Sequence, residues 1–440
     1  MKTPVLRGFL ALAIFGALHA GADTLEAYQV DSLERVFPDT APPRLAEDNP
    51  GTVPAVPRGA VVTLQFAVKA IVSGDITYKL FFSPERGPAG FVIKPWGLVP
   101  VPVEANNNGG SNTQVGVKPK PEWMEAYVRE ASFEVAEVMR EWSPFEVEGG
   151  RWAAILLEIA VPRDAPAGRY EWSVEFYAHD YIDGAQKRIP YAFEVFPVDF
   201  PDRYALSTTY WFYPNPENVS YGNPPAWWSE RHWALLVHSG RTLRAFGQDN
   251  LYTPIVDGRH PLIRIIRRKD GAFAFDYTRF DRWVETFSKL GFTTFEGHHV
   301  GGGHRIAVPP MAHLGGVWVH DEADGKTKPL FDKPADAEAW LAFLPVFYDS
   351  LYAHLKERGW TGRYVQCQLD EPRDPEEYKR LADIARKYLP GIKTKDAINS
   401  RPEAFSPLVD IQVFALTILA GQQDLADQRR AAGQDVWLYH

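Results

Sequence analysis

The chain has 440 residues, of which 45% are hydrophobic and 23% are charged, and its formal net charge at pH 7 is −9. This composition excludes a disordered or fibrous protein, and the length allows two domains with substantial cores. The excess of acidic residues disfavours nucleic acid and other polyanions as partners. The single cysteine, Cys367, excludes an internal disulfide bond and a cysteine-rich metal site.

The first 22 residues have the three parts of a secretory signal. Lys2 and Arg7 supply the charged region, residues 8–18 form an apolar run, and Ala20-Gly21-Ala22 is an A-x-A cleavage site. The apolar run is too short to span a bilayer, and no cysteine follows the cleavage site to carry a lipid. We therefore expect a secreted or periplasmic protein without a membrane anchor; the alternative is a buried N-terminal helix. Cleavage removes two basic residues and no acidic one, which changes the net charge from −9 to −11.

Strand patterns dominate from about residue 55 to residue 200, within a predicted N-terminal domain of residues 23–200. Segments rich in β-branched and aromatic residues are separated by Gly, Pro and Asp, and they cover residues 61–70, 76–82, 152–161, 170–177 and 189–196. This spacing predicts a β-sandwich, with a helix from about residue 122 to residue 142 interrupting the strands. A packing module without a site of its own is favoured over a sugar-binding domain.

After a linker at residues 197–201, strands alternate with helices. The predicted strands cover residues 206–213, 251–256, 292–298, 364–369, 393–398, 409–416 and 436–440, and a hairpin joins 263–268 to 272–277. Seven such units favour a TIM-type (β/α)8 barrel over a doubly wound sheet. We therefore expect residues 201–440 to form a barrel that lacks its last strand in this chain. No Gly-x-Gly-x-x-Gly follows a strand, so no nucleotide cofactor is expected.

The fourth of these strands ends in two adjacent carboxylates, Asp370 and Glu371. Apolar and polar residues alternate before them, with one face formed by Val365, Cys367 and Leu369 and the other by Tyr364, Gln366 and Gln368. This alternation predicts that Asp370 lies on the polar face, and Pro372 ends the pairing after Glu371. A helix capped by Asp374 follows. Acids at this position occupy the place where (β/α) barrels carry out their chemistry, although an ordinary ion-pair network is an alternative.

Further candidate site residues lie at other strand ends. Tyr210 and Trp211 close the first strand, and their rings could stack on a sugar or belong to the ordinary core. His298 and His299 end the third strand and could hydrogen-bond sugar hydroxyls. As metal ligands they are poor candidates, and no metal site is expected.

Two later strands also contribute candidates. Asp396 ends the fifth strand and could bind a hydroxyl, or it could serve as a cap in the following loop. On the seventh strand we assign Trp437 and Tyr439 to opposite faces and predict that Tyr439 points inward, because Trp437 is the easier side chain to bury against a helix.

The chain resembles glycoside hydrolase family 123, the β-N-acetylgalactosaminidases, and related glycoside hydrolase domain-containing proteins. The likeness covers residues 27–440 and is most specific at Asp370-Glu371-Pro372, at the opening residues 30–36 and at residues 161–170. Proteins of this family usually continue beyond the point where this chain ends. The resemblance therefore also implies a barrel whose end is missing.

The resemblance implies hydrolysis of a glycan or glycoconjugate containing a β-linked N-acetylhexosamine, with N-acetylgalactosamine as the favoured sugar. By match to the family, Glu371 would be the general acid and then the base. Asp370 would hold the acetamido N–H while the substrate's own acetamido oxygen attacks the anomeric carbon, in a retaining mechanism without a cofactor. Two alternatives are a glycosidase with another sugar specificity and a non-catalytic carbohydrate-binding or envelope protein on an incomplete barrel.

Overall fold

The computed structural model describes residues 25–45, 53–71, 77–85, 87–104, 129, 131–141, 145–179, 186–201, 206–220, 222–301, 316–331, 336–419 and 421–439. The chain divides into two compact units, Met1–Asp202 and Arg203–His440. The predicted signal at residues 1–22 lies outside the described residues. Within the described ranges, no helix is long and apolar enough to cross a membrane.

The described part of the first unit consists of strands: β1 (Leu25–Val30), β2 (Ala55–Arg58), β3 (Val61–Ala70), β4 (Thr77–Pro84), β5 (Val92–Val103), β6 (Phe133–Glu141), β7 (Phe145–Glu148), β8 (Ala153–Ala160), β9 (Gly168–His179) and β10 (Gln186–Asp199). They form two five-stranded sheets, in the orders β1-β3-β8-β5-β6 and β2-β10-β9-β4-β7. β10 extends to Asp199, so the strand includes most of the predicted linker.

The core of this unit joins the two sheets. Phe66 on β3 and Phe176 on β9 are both fully buried, and their ring centroids lie 5.8 Å apart. Each phenylalanine stabilises the fold by about 1.5–3 kcal/mol through the removal of its ring from water. The buried side chains of the two sheets therefore pack against each other in one hydrophobic core.

The helix predicted from residue 122 to residue 142 is wrong where the structure can be compared with it. Residues 133–141 form strand β6, which pairs antiparallel with β5, while residues 122–128 lie outside the described residues. Phe133 and Val135 alternate with polar residues as a strand requires, and pairing with β5 decides the conformation.

The second unit mixes strands with helices. Its strands are β11 (Asn250–Thr253), β12 (Arg264–Arg267), β13 (Phe273–Asp276), β14 (Thr294–Gly297), β15 (Trp318–Asp321), β16 (Lys326–Pro329), β17 (Tyr364–Cys367), β18 (Lys393–Ala397), β19 (Ile411–Ala415) and β20 (Val436–Tyr439). Its helices are α1 (Pro216–Val219), α2 (Glu230–Ala245), α3 (Thr278–Lys289), α4 (Ala337–Glu357), α5 (Pro375–Tyr388), α6 (Pro402–Phe405), α7 (Leu416–Leu419) and α8 (Gln423–Ala431). The unit is therefore an α/β structure.

Six of these strands form one parallel sheet in the order β11-β14-β17-β18-β19-β20. Because these strands are parallel, the carboxyl ends of all six lie at the same edge of the sheet. Helices follow most of the strands. The predicted hairpin is present as β12 and β13, and it extends into a second sheet of order β13-β12-β15-β16.

The first predicted strand of this unit is absent. Residues 206–213 form no regular strand, and Thr208 is the point of attachment to the sheet: its carbonyl accepts from the backbone N–H groups of Asp249 and Asn250. The aromatic residues that suggested a strand are divided between environments. Phe212 stacks on Trp283 of α3, with 6.3 Å between ring centroids, whereas its neighbours remain largely exposed.

The helices pack on the sheet through apolar faces. In α3, Phe280, Trp283 and Phe287 recur at helical spacing and are all fully buried. Pro345 does not divide the helical segment that contains it, because α4 runs unbroken from residue 337 to residue 357. This packing fixes the strands whose carboxyl ends surround the candidate site.

Candidate active site

A cavity of about 670 Å³ opens at the carboxyl ends of the parallel strands. Its lining includes seven of the eight predicted site residues, Tyr210, Trp211, His298, His299, Asp370, Glu371 and Tyr439. The remaining one, Asp396, is not among the lining residues. The side chains brought together here are carboxylates, imidazoles and aromatic rings, the groups that bind and cleave sugars.

Glu371 accepts hydrogen bonds from Asn399, which follows the neighbouring strand β18, and from Tyr439 on β20. Its Oε1 accepts from Asn399 Nδ2 at 2.6 Å and from the hydroxyl of Tyr439 at 3.0 Å. Asn399 Nδ2 also donates to the Tyr439 hydroxyl, at 2.5 Å, which closes a three-membered network. The backbone of Glu371 lies in the left-handed region, with φ of +49°. Non-glycine residues in this region are strained and are concentrated at functional sites.

Asp370 lines the same cavity, but on a different face from the one predicted. It lies beside Cys367 and Leu369 in the lining, whereas Gln366 and Gln368 are buried outside the cavity. The hydroxyl of Tyr348 on α4 donates to Gln368 Oε1 at 3.2 Å, so Gln368 contacts α4 and not the cavity. The prediction failed because β17 ends at Cys367, and strand alternation does not continue beyond the last paired residue.

Asp396 is a buried structural residue, so the prediction that it binds a substrate hydroxyl is wrong. Its side chain is fully buried, and Oδ1 accepts from the backbone N–H groups of Gln368 at 3.1 Å and Leu369 at 3.0 Å. The hydroxyl of Tyr378 donates to Oδ2, and Cys367 Sγ lies 3.0 Å from Oδ1. The alternative prediction, a cap for backbone groups in a loop, is closer to the observed role, although the capped groups lie directly after β17.

Burial raises the pKa of Asp396 to about 7, although the hydrogen bonds from Tyr378 and Cys367 and from the Leu369 N–H act in the opposite direction. The carboxyl group satisfies backbone donors immediately after β17. It therefore fixes the strand end that carries Asp370 and Glu371.

The cavity lining also contains an ion pair between Lys395 on β18 and Glu296 on β14. Glu296 is 1% exposed and Lys395 is 9% exposed. Burial opposes the charge on Lys395, but the attraction and hydrogen bond of Glu296, together with the neighbouring Cys367 and Asp396, raise the pKa of the lysine above its usual value. Lys395 Nζ also lies 5.4 Å from the centre of the Trp437 ring. The lysine is therefore a cation inside the cavity.

His298 forms part of the cavity wall as a neutral imidazole. Its backbone N–H donates to the Thr253 carbonyl at 3.0 Å, and its ring packs edge-on against Tyr252 at 5.0 Å. Burial, followed by the neighbouring His299 and Lys395, lowers the pKa of His298 to about 2. Nδ1 of His298 is buried and has no hydrogen-bond partner among the described residues. No group of three or more His, Cys, Asp or Glu side chains suited to a metal ion occurs in the described ranges.

Aromatic side chains surround the entrance. Tyr210 is 61% exposed and Trp211 is 54% exposed, and Trp211 lies 5.8 Å from the buried ring of Tyr252. On β20 both Trp437 and Tyr439 line the cavity. The prediction of opposite faces for these two residues is wrong, because residues two apart on a strand lie on the same face.

Glu296, Lys395, Asn399 and Tyr252 also line or contact the site, although they were not among the predicted site residues. Two of them had a detectable signal in the sequence: Glu296 lies two residues before His298, and Lys395 immediately precedes Asp396. Asn399 follows β18 in a loop, where only the structure reveals its contact with Glu371.

The sequence model of the glycoside hydrolase 123 catalytic domain matches residues 211–440, which is more than half of the chain and includes the cavity-lining residues from Trp211 to Tyr439. The chain belongs to glycoside hydrolase family 123. A solved structure of a family 123 glycoside hydrolase from Clostridium perfringens, determined in work on glycolipid glycan hydrolysis, is similar to it with a TM-score of 0.70. The two chains share 17% identity over 94% of this chain and 72% of the other, so the likeness demonstrates a common fold.

A putative membrane-anchored protein from Corynebacterium diphtheriae has a TM-score of only 0.20 at 11% identity. This match covers 41% of the family 123 chain described here and 37% of the other, and a likeness so weak carries no argument. Comparison with curated proteins gave no match.

Proposed function

We propose that this family 123 glycoside hydrolase cleaves β-linked N-acetylhexosamine, with N-acetylgalactosamine as the preferred sugar, by a substrate-assisted retaining mechanism. The observation that carries the proposal is the position of Glu371, fixed by Asn399 and Tyr439 at the rim of a cavity that Asp370 also lines. Family membership supports the reaction class, and the adjacent carboxylates support the mechanism.

In the first step, protonated Glu371 donates its proton to the glycosidic oxygen as the bond from that oxygen to the anomeric carbon breaks. The carbonyl oxygen of the substrate's acetamido group forms a bond to the same carbon and gives a cyclic oxazolinium. Asp370 accepts the acetamido N–H and stabilises the positive charge that develops. The donors Asn399 and Tyr439 stabilise the carboxylate that Glu371 becomes once its proton has left.

In the second step, Glu371 acts as a base and removes a proton from a water molecule. The water oxygen attacks the anomeric carbon, and the bond to the acetamido oxygen breaks. Two successive inversions at the anomeric carbon retain its configuration. The mechanism requires no carboxylate nucleophile and no cofactor.

A glycosidase with a different sugar specificity is a second candidate, because the cavity lining contains a third carboxylate, Glu296. In such an enzyme Glu296 could act as a nucleophile toward sugars without an acetamido group. Its ion pair with Lys395 favours a binding role instead. Carbohydrate binding without catalysis is the remaining alternative.

Aglycone release from an aryl N-acetyl-β-galactosaminide and from the matching plain β-galactoside tests the proposal. Wild-type protein should hydrolyse only the acetamido sugar, and Glu371→Gln should lose most of this activity when the aglycone is a poor leaving group such as phenyl. Glu376→Gln, which neutralises an exposed acid on α5, is the matched control and should behave as wild type. Equal turnover of both sugars would indicate an enzyme nucleophile, whereas binding without turnover by the folded protein would indicate a non-catalytic role. Glycolipid glycans, the substrate class of the Clostridium perfringens relative, are the natural substrates to try next.

Two further proposals concern location and architecture. The charged region, apolar run and small-residue cleavage site in residues 1–22 support export to the periplasm or the medium. The six parallel strands, arranged in chain order, support an assignment as consecutive strands of a (β/α)8-type barrel in the catalytic domain of residues 201–440, after a β-sandwich domain of residues 23–200.

A further inference from the structure

The Lys395–Glu296 pair lies deeper in the cavity than the adjacent carboxylates. Glu296 is on β14 and Lys395 on β18, the two strands that flank β17, so their side chains meet across the strand that carries the carboxylates. Both are almost fully buried, whereas Asp370 and Glu371 are partly exposed. The pair therefore forms the floor of the cavity, and the carboxylates form its rim.

Fold stability alone does not explain this pair. Apolar residues of similar size usually stabilise an interior as well as a buried ion pair does, because the loss of hydration opposes the attraction between the charges. In addition, Glu296 Oε1 is buried without a hydrogen-bond partner among the described residues, as is the nearby His298 Nδ1. Buried polar atoms are normally satisfied, and two unsatisfied atoms in one cavity wall are what a polar ligand would complete.

We propose that Glu296, Lys395 and His298 form a hydroxyl-binding site that holds the sugar ring on the side remote from the glycosidic bond and determines which sugar epimer is accepted. The proposal rests on the proposed function, since the sugar is oriented with its anomeric carbon at Glu371. Its ligands are the ring hydroxyls at C3 and C4 and the hydroxymethyl group at C6.

The chemistry of the three side chains suits hydroxyl groups. A hydroxyl both donates and accepts, so it can donate to Glu296 Oε1 and accept from the Lys395 ammonium at the same time. His298 is neutral and adds a further ring nitrogen without a second positive charge. The ring of Trp437, 5.4 Å from Lys395 Nζ, provides an apolar surface beside this polar group. A charged donor and a charged acceptor at fixed positions distinguish an axial from an equatorial hydroxyl.

Deoxy substrates test the proposal on the unmodified protein. Aryl N-acetyl-β-galactosaminides lacking the C3, C4 or C6 hydroxyl should be compared with the parent compound. A hydroxyl bound by charged groups contributes enough that kcat/KM should fall by about 10- to 100-fold for at least one of the three. Hydrolysis of all three analogues at the parent rate would overturn the proposal without any variant.

Variants then identify the residues. In Glu296→Gln and Lys395→Met, the ratio of kcat/KM between the parent and the sensitive deoxy substrate should move toward one. The matched control is Lys393→Met, which removes another lysine of β18 whose Nζ pairs with Asp435 at 2.5 Å outside the cavity. The control should retain the wild-type ratio. If Glu296→Gln and Lys395→Met fold and keep the wild-type ratio of kcat/KM between the two substrates, other residues select the hydroxyl and the proposal is overturned.

The same measurements distinguish failure of the proposed function from failure of the hydroxyl-binding site alone. If folded wild-type protein hydrolyses no acetamido sugar and calorimetry detects no binding of N-acetylgalactosamine, the proposed function and the floor site both fail. If wild type hydrolyses the parent sugar while the deoxy ratios are insensitive to Glu296 and Lys395, the proposed function stands and only the floor site fails.

Discussion

The hydroxyl of Tyr439 donates to Oε1 of Glu371 over 3.0 Å, although the two residues are 68 positions apart in the chain. Tyr439 lies on β20, at one edge of the parallel sheet, and Glu371 follows β17, which is three strands away in the sheet order. The contact therefore spans the mouth of the cavity. It makes the orientation of the proposed acid depend on the last strand that the structure describes.

Loss of this contact should slow catalysis without affecting the fold. Tyr439→Phe removes a donor to Glu371 and leaves Asn399 in place, so we expect kcat to fall about tenfold with little change in KM. Steady-state kinetics on an aryl N-acetyl-β-galactosaminide measure this. Tyr388→Phe, at the end of α5 and outside the cavity lining, is the control. A Tyr439→Phe variant with wild-type kcat would remove the tyrosine from the mechanism.

The carboxyl group of Asp396 should make the free energy of unfolding depend on pH, and the Asp396→Asn variant should lack this dependence. Its pKa of about 7 in the folded protein exceeds its ordinary value of 3.8, so the unfolded chain releases this proton at lower pH than the folded chain does. The contribution of protonated Asp396 to the free energy of unfolding is therefore lost as pH rises from about 4 to about 7.

Comparison with Asp396→Asn isolates the effect, because the amide has no such proton. The free energy of unfolding of wild type relative to Asp396→Asn should decline across this pH range by at most ~4 kcal/mol. Urea unfolding at several pH values measures it, with the exposed Asp383→Asn on α5 as control. A difference that grows with pH would contradict the assignment of a raised pKa.

Gly297 should not tolerate a side chain. An added Cβ would lie 1.7 Å from the hydroxyl of Tyr364 and 3.0 Å from Gln366 Oε1, both of which are buried. Gly297→Ala should therefore destabilise the protein by about 1–3 kcal/mol through overpacking. Gly362→Ala is the matched control, because open space surrounds the Cβ position there. Equal urea midpoints for the two variants would contradict the packing described at the end of β14.

Trp211 should contribute to substrate binding through its exposed ring. Trp211→Ala should raise KM by up to about tenfold with kcat nearly unchanged, and Trp211→Phe should restore most of the loss, since stacking requires only an aromatic face. Leu206→Ala, an exposed apolar residue of the same segment that does not line the cavity, is the control. Equal KM values for Trp211→Ala and wild type would assign sugar stacking to other rings.

The regular strands and the position of the adjacent carboxylates could be predicted from the sequence because they depend on local alternation. The predicted strand 61–70 coincides with β3, and the predicted strand 364–369 begins where β17 begins. Residues 206–213 have the composition of a strand, but they form no strand, and Thr208 accepts the backbone hydrogen bonds from Asp249 and Asn250. No local pattern reveals which neighbours a segment will pair with.

Long-range contacts explain the errors in the candidate site. Asp396 has the same sequence context as a substrate-binding acid, but it accepts from backbone groups that lie 27 and 28 residues away. Asn399 contacts Glu371 across 28 residues, and Lys395 contacts Glu296 across 99. These contacts depend on the order and the register of the parallel strands, and a single sequence specifies neither.

The role of Glu371 as the proton donor is the central claim, and its dependence on the leaving group tests it most directly. For aryl N-acetyl-β-galactosaminides ranging from dinitrophenyl to phenyl, kcat/KM of Glu371→Gln should be compared with that of wild type. A good leaving group needs no proton, so the variant should approach wild type with dinitrophenyl and fall at least about 100-fold below it with phenyl. A variant that matches wild type with every leaving group, or loses the same factor with all of them, would contradict the assignment of Glu371 as the general acid.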